Sequence, residues 1–457
     1  MRYRRGHRTA LATAAALCVL PLGQGEAAFA AEADDLSAYR TSARAKEVTG
    51  SASVTGGPLL RPGTYTDTIG PGEKKFYAVE LDAKSDVYVS AVAAPAPGTT
   101  VKHDDGIRVL LQQEDGHECG AGEARFREDD SGHPLADYAV RRLRPDAGPD
   151  PAASTCRYAG RYRVVVERTA AAGTAGAVYP TELKYMTEPG LKPGGTVTAP
   201  GPGTWRSVAA SSSDKAVKRV AGGTGFNDAP PVTTGAWRDD ALPGQTRFYR
   251  IPVSWGQRLS VVAEVPKAFA PPGFHAPGGV RLGLNNPARG FAGEVFEDYR
   301  GASETISLST APVAYDNRSR GRTDPANAMR VAGWYYLQVG LHPKVGEVVS
   351  HPVPVTLRVS VEGSPKAAPA YDGDAAAAGF GVTADPQAVA DDGSARREAL
   401  RIGGYVGVST GSALLCWLGG WWLIAHRNGR RPAARPGTGR RHHGGRRARP
   451  GGISSPR

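Results

Sequence analysis

The sequence predicts an all-β ectodomain of two tandem antiparallel β-sandwiches, jelly-roll-like in type, followed by one C-terminal transmembrane helix. Three observations predict it. The chain contains an internal duplication, both copies alternate hydrophobic and polar residues with period two, and one long uncharged stretch stands near the C-terminus. Charge is distributed to match. Of 56 Lys+Arg and 44 Asp+Glu in 457 residues, ten Arg and no acid lie in 402–457, and four Arg with one Glu lie in 1–30. Residues 31–401 therefore carry 42 basic and 43 acidic residues, so the net +12 belongs to the two ends and the exterior is close to neutral. A general affinity for nucleic acid is excluded on that ground.

Residues 1–30 read as a secretory signal peptide. Arg2, Arg4, Arg5 and Arg8 form the charged start, and Thr9 to Leu22 is an apolar, Ala-rich stretch too short to serve as a span. Ala28-Phe29-Ala30 offers small residues at −3 and −1, which places cleavage between Ala30 and Ala31. Residues 31–47 form a short N-terminal segment of the exported chain.

The duplication follows. Gly63 to Val92 aligns without gaps on Gly235 to Glu264 at an offset of 172, pairing Tyr65 with Trp237, Asp67 with Asp239 and Phe76-Tyr77 with Phe248-Tyr249. At an offset of 173, Gly106-Ile107-Arg108-Val109 matches Gly279-Val280-Arg281-Leu282. Arg157, Ala159, Gly160 and Tyr162 match Arg330, Ala332, Gly333 and Tyr335 at the same offset. Leu183-Lys184 matches Leu357-Arg358 at 174. Sandwich repeats over 48–190 and 220–363 are expected, joined by a Gly/Pro/Ser/Thr-rich linker over 191–219. Within each, Tyr77, Val79 and Leu81, or Tyr249, Ile251 and Val253, alternate with neighbours facing the other way, as strands with one buried face do. Cys119 and Cys156 are the only cysteines outside the signal and the span, and both fall in the first copy. In an oxidising compartment they are expected to pair, closing a loop worth roughly 3–4 kcal/mol.

Residues 364–401, rich in Ala, Gly and Asp, read as a flexible stalk. Residues 402–425 carry no charge and match a bilayer in length, with Trp417, Trp421 and Trp422 near the C-terminal edge. The all-Arg tail over 426–457 resists translocation and keeps this end in the cytoplasm, where it meets anionic lipid. Gly403, Gly407 and Gly411 recur at intervals of four, a helix–helix contact face that would allow a homodimer, although Gly is also simply common in spans.

No catalytic constellation emerges. The one G-x-S-x-G string, Gly407 to Gly411, lies inside the span. His103, His117, His133, His275, His342 and His351 form no metal-ligand pair and read as solvated loop residues. The acidic runs at 103–105 and 128–130 lack EF-hand spacing, so hydrophilic loops are expected there rather than Ca²⁺ sites. Gly222-Gly223-Thr224-Gly225 does not bridge a strand to a helix, which argues against phosphate binding. No cofactor or metal is expected.

The short aromatic strand after a Pro-Gly turn, closed by Ala-Gly-x-Tyr and an alternating valine strand, resembles the bacterial pre-peptidase C-terminal (PPC) domain. That family comprises small β-sandwiches appended to secreted enzymes, where they aid substrate binding or processing. From Gly222 through the span, Gly222 to Asp228, Phe248 to Gln257, Asn286 to Phe291 and Ala332 to Tyr336 resemble the membrane-proximal half of actinobacterial surface proteins. Those proteins carry a von Willebrand factor A (VWA) domain further upstream. This chain has no D-x-S-x-S adhesion motif, so metal-dependent adhesion does not transfer. The resulting expectation is a single-pass cell-membrane protein with an extracellular N-terminal ectodomain and no enzymatic activity of its own. It would act as a non-catalytic binding or scaffold protein towards an envelope protein or cell-wall polymer, with no nucleic-acid partner. The alternative is an accessory subunit docking a VWA-type surface protein or a secreted hydrolase.

Overall fold

The computed structural model describes residues 36–128, 130–143, 156–170, 176–195, 197, 216–321, 323–349, 352–382 and 418. Copy 1 consists of β1 (Lys46–Glu47), β2 (Leu59–Leu60), β3 (Gly63–Ile69), β4 (Lys74–Leu81), β5 (Asp86–Ala93), β6 (Gly106–Gln113), β7 (Glu118–Arg125), β8 (Leu135–Arg141), β9 (Gly160–Arg168) and β10 (Tyr179–Glu188). Copy 2 consists of β11 (Lys218–Arg219), β12 (Gly235–Ala241), β13 (Thr246–Val253), β14 (Arg258–Val265), β15 (Ala276–Asn285), β16 (Phe291–Tyr299), β17 (Glu304–Ser309), β18 (Gly333–Leu341) and β19 (Val353–Glu362).

Each copy folds into two facing sheets. In copy 1 a front sheet runs β1-β3-β10-β5-β8 and a back sheet β2-β4-β9-β6-β7; in copy 2 the front is β11-β12-β19-β14-β17 and the back β13-β18-β15-β16. The topologies superimpose strand for strand. Even the two-residue β2, parallel to β4 at Leu59–Ala78, survives in copy 2 as a single parallel bridge between Pro231 and Arg250. All long strands pair antiparallel, as the alternation predicts. The inward residues include those read from the sequence, Tyr77, Val79 and Leu81 in the first copy and Tyr249, Ile251 and Val253 in the second; Val87, Val89, Val164 and Val166, and Leu259, Val261, Leu337 and Val339, join them. Full burial of each such side chain stabilises by about 1.5–3 kcal/mol.

Two polar devices are duplicated with the core. Asp67 Oδ2 accepts from Tyr77 Oη (2.7 Å) and Gly50 N (2.7 Å), while Asp239 Oδ2 accepts from Tyr249 Oη (2.6 Å) and Gly222 N (2.7 Å). In the Ala-Gly-x-Tyr corner, Tyr162 Oη donates to Tyr158 O and Tyr335 Oη to Val331 O, both at 2.8 Å. The glycine of that corner sits at φ +153° (Gly160) and +148° (Gly333), conformations a side chain would strain. Only copy 1 has the disulfide: Cys119 of β7 is bonded to Cys156, with Cα atoms 5.7 Å apart.

The segment expected as a flexible stalk begins otherwise. Leu191 bridges to Tyr371, Lys192 N donates to Ala370 O (2.8 Å), and Phe380 and Ala375 are buried, so 364–382 is seated on the body. Composition suggested a free chain because Tyr371 and Phe380 are its only large aromatics, and those two anchor it. The expected signal peptide with its Ala30–Ala31 cleavage point, the expected span apart from Leu418 (including Gly403, Gly407 and Gly411), the whole of the expected tail over 426–457, His351 and residues 198–215 lie outside the described residues. Among the described residues no helix is long and apolar enough to cross a membrane.

Candidate functional site

The feature that the copies build together is a seam: the outer face of the front sheet of copy 1 packs on the outer face of the back sheet of copy 2. Strand β5 is buried at every position. Val87, Val89 and Ala91 point into the core of copy 1 while Tyr88 and Val92 point outward into the second copy. With Ala136 of β8, Val92 packs on Phe226 and Phe248 of copy 2. Tyr88, Tyr138 and Met186 pack on Ala288 and Val331. A sheet buried on both faces loses its polar alternation, and β5 shows it.

The β15–β16 turn is shaped to enter this surface. Asn286 Oδ1 accepts from Ala288 N (3.1 Å) and Gly290 N (3.0 Å), and its Nδ2 donates to Tyr138 Oη (3.3 Å) of copy 1. Gly290 lies flat against the Tyr138 ring; a Cβ there would stand 1.2 Å from Tyr138 Cε1. Arg289 takes φ +68°, which is costly for a side-chain-bearing residue and aims its guanidinium across the seam. There it donates to Glu182 Oε1 (2.6 Å) and Asn227 Oδ1 (2.9 Å) beneath the Phe226 ring. Glu182 also accepts from Ser42 N (3.0 Å) and Asn227 Nδ2 (2.9 Å).

A second buried cluster closes the other end. Arg318, in a 3₁₀ turn of copy 2, donates to Asp86 Oδ2 and Glu188 Oε1 of copy 1, each at 2.9 Å. Tyr88 Oη (2.7 Å) and Tyr371 Oη (2.5 Å) donate to Glu188, and Leu143 N (2.7 Å) to Asp86. Burial raises the Asp86 carboxyl to about 6 even though Arg318 opposes the shift, and Glu188 adds to it. The N-terminal segment straps the seam. Tyr39 is edge-on to Phe226 and Phe248, and Arg40 O accepts from Asn227 Nδ2 (3.1 Å). Such pairs hold geometry more than they add stability, because desolvation offsets much of their attraction.

The residues singled out from sequence fall elsewhere. His133 is the correction among the histidines: it is buried rather than solvated, edge-on to Phe126, with Nδ1 on Ser131 O (2.8 Å). Burial holds its pKa well below the usual value, and Arg281 adds to the effect. With Asp130, Arg281, Phe296 and His342 it lines a shallow, solvent-open cleft at one edge of the seam. His275 is paired with Asp298 (2.8 Å) and His103 with Asp104 (3.2 Å). In the Gly-rich loop, Asp228 takes the N–H groups of Thr224 and Gly225. Among the described residues no three His, Cys, Asp or Glu side chains gather as a metal site.

Sequence reasoning missed Glu182, Arg289, Gly290 and Arg318. The available signal was the run Asp86-Val-Tyr-Val-Ser-Ala-Val-Ala, whose outward set (Asp86, Tyr88, Ser90, Val92) carries charge at one end only, where that of Arg258-Leu-Ser-Val-Val-Ala-Glu-Val carries it at both.

No family model matches the chain, and no curated protein matches it. Solved structures similar to it include the pre-peptidase C-terminal domain of a Bacillus anthracis collagenase, at 13% identity and TM-score 0.18, covering 28% of this chain and 93% of that one. The CBM22-1–CBM22-2 tandem of Paenibacillus barcinonensis Xyn10C matches at 10% identity and TM-score 0.19, covering 69% and 95%. The CUB1-EGF-CUB2 region of human MASP-1/3 matches at 8% and 0.16, covering 65% and 99%. These neighbours are β-sandwiches, singly or in tandem, and at such scores they carry no statement of ligand or activity.

Proposed function

We propose that this chain is a non-catalytic binding and scaffold protein of the cell envelope, exported by residues 1–30 and anchored by the span over 402–425. The observation that carries the scaffold reading is the seam. Arg289–Glu182 and Arg318–Asp86/Glu188 fix two sandwiches as one block, so loops and faces on both copies are presented in a constant relation. Fixed presentation is what a docking platform needs, since little ordering entropy remains to be lost on binding. Exposed apolar tips, Phe269 at 94% exposure above all, offer contact points on copy 2. The proposed partners are a cell-wall polymer or an envelope protein, with anionic lipid at the Arg tail.

The test is a sedimentation assay of the purified protein with isolated cell wall, run beside a mild crosslinking pull-down from membranes. Wall binding without a protein partner supports the polymer reading. Recovery of one surface protein or hydrolase supports the accessory-subunit reading, and turnover of a broad substrate panel would overturn both.

A further inference from the structure

Midway along the seam, one row of the front sheet of copy 1 reads Thr64, Lys184, Ser90, Tyr138 across β3, β10, β5 and β8. Lys184 and Ser90 are directly opposed across an antiparallel pair, so their Cβ atoms lie about 5 Å apart on the face that meets copy 2. Lys184 forms no ion pair among the described residues. The nearest acid on its strand, Glu182, is already taken by Arg289, Asn227 and Ser42. Three groups of the seam are buried without a hydrogen-bond partner among the described residues: Ser90 Oγ opposite Lys184, and Arg289 Nε and Tyr39 Oη at the Glu182 cluster. Each can donate, so this part of the seam holds a surplus of donors with no acceptor left for them. An unmatched buried donor is costly, and one small oxyanion would relieve several at once.

We propose that Lys184 is a carbamylation site, its amine taking up carbon dioxide so that a carbamate stands in the seam beside Arg289 and Ser90. The amine lone pair attacks the carbon of CO₂ and forms the C–N bond. One C=O π pair moves to oxygen, and the proton displaced from nitrogen passes to water. The step requires an uncharged amine. Burial and the neighbouring Arg289 cation together, against the opposing Glu182, lower the Lys184 pKa to about 7. Lys184 is only partly buried, so a molecule as small as CO₂ has access. The product replaces a cation crowded by Arg289 with an anion that Arg289, Ser90 and Tyr39 can all serve. Copy 2 lacks the arrangement: the residue aligned with Lys184 is Arg358, which pairs with Glu264 (2.6 Å) on an open face.

The purified full chain is incubated with ¹³C-bicarbonate at mildly alkaline pH, trapped with a trialkyloxonium reagent and mapped by peptide mass spectrometry. The expected result is a labelled ester on Lys184, absent in Lys184→Arg and reduced several-fold in Ser90→Ala, which keeps the lysine. Circular dichroism of both variants verifies that they are folded. No label on Lys184 in the folded wild type, or label no greater there than on exposed Lys74, would overturn the proposal. Unchanged occupancy in Ser90→Ala would equally remove the acceptor-deficit argument on which it rests.

Discussion

The outer face of β5, β8 and β10 in copy 1 and that of β14, β17 and β19 in copy 2 occupy equivalent places in equivalent sheets, yet one is covered and the other is open. Aligned through strand register, Tyr88 corresponds to Ser260, Val92 to Glu264, Tyr138 to Ser307, and Met186 to Ser360. Of these four positions on copy 2, Glu264, Ser307 and Ser360 keep contact with water, while Ser260 is buried. The open face is laced instead by Arg258–Glu362 and Arg358–Glu264, both at 2.6 Å and partly exposed. Front-to-back contact between two copies is heterologous, the kind that propagates unless it is stopped. Polar residues at the front of copy 2 stop it after one step, as capping repeats do in longer arrays.

The comparison breaks most severely if the covered face loses its cation. Arg318→Met leaves Asp86 and Glu188 buried around a vacated guanidinium site, and the expected loss is about 3–5 kcal/mol in denaturant unfolding. Arg358→Ala, on the open face, should change stability by less than about 1 kcal/mol. Equal losses in the two variants would contradict the contrast.

Next in size is Gly290→Val. Its side chain must displace the Tyr138 ring, an overpacking expected to cost about 1–3 kcal/mol, and to couple to Tyr138→Ala in a double-mutant cycle. Additive effects would mean that the close approach is not made in solution.

Acid sharpens the picture through two groups of opposite sign. Asp86 has a folded pKa raised from 3.8 to about 6 by burial. Its contribution is full below the unfolded value and is lost as pH rises through about 6, so it favours the closed seam at low pH. Buried His133 is held below its ordinary 6.5, so its contribution is present above 6.5 and is lost as pH falls below that value. Unfolding midpoints between pH 4 and 7 should therefore shift in opposite directions for Asp86→Asn and His133→Gln, each relative to wild type. The same slope in both variants would contradict these assignments.

The smallest effect on stability, and the most informative about the stop, comes from restoring the docking face on copy 2. Glu264→Val, Ser307→Tyr and Ser360→Met together should change the fold little and produce concentration-dependent association in sedimentation velocity. A strictly unchanged sedimentation coefficient would show that the face is not the determinant.

Much of this was legible in the sequence. The duplication, the inward alternation of Tyr77, Val79 and Leu81, and the Cys119–Cys156 pair follow from period two and cysteine arithmetic, and all appear as expected. The seam was not legible, for a physical reason. Alternation identifies which residues leave the water, and for β5 it marks one face when both are buried. Nothing near Arg289, Glu182 or Arg318 in the chain marks them as paired, because their partners lie 107 to 232 positions away. The seating of Tyr371 and Phe380 was obscured by the Ala/Gly/Asp residues around them.

Two sandwiches form one body through a front-to-back seam. Double electron–electron resonance between spin labels at exposed Arg161 on copy 1 and Arg238 on copy 2 tests it most directly. A single narrow distance distribution in the wild type, broadened in Gly290→Val, is the predicted result. A broad distribution already present in the wild type would contradict it.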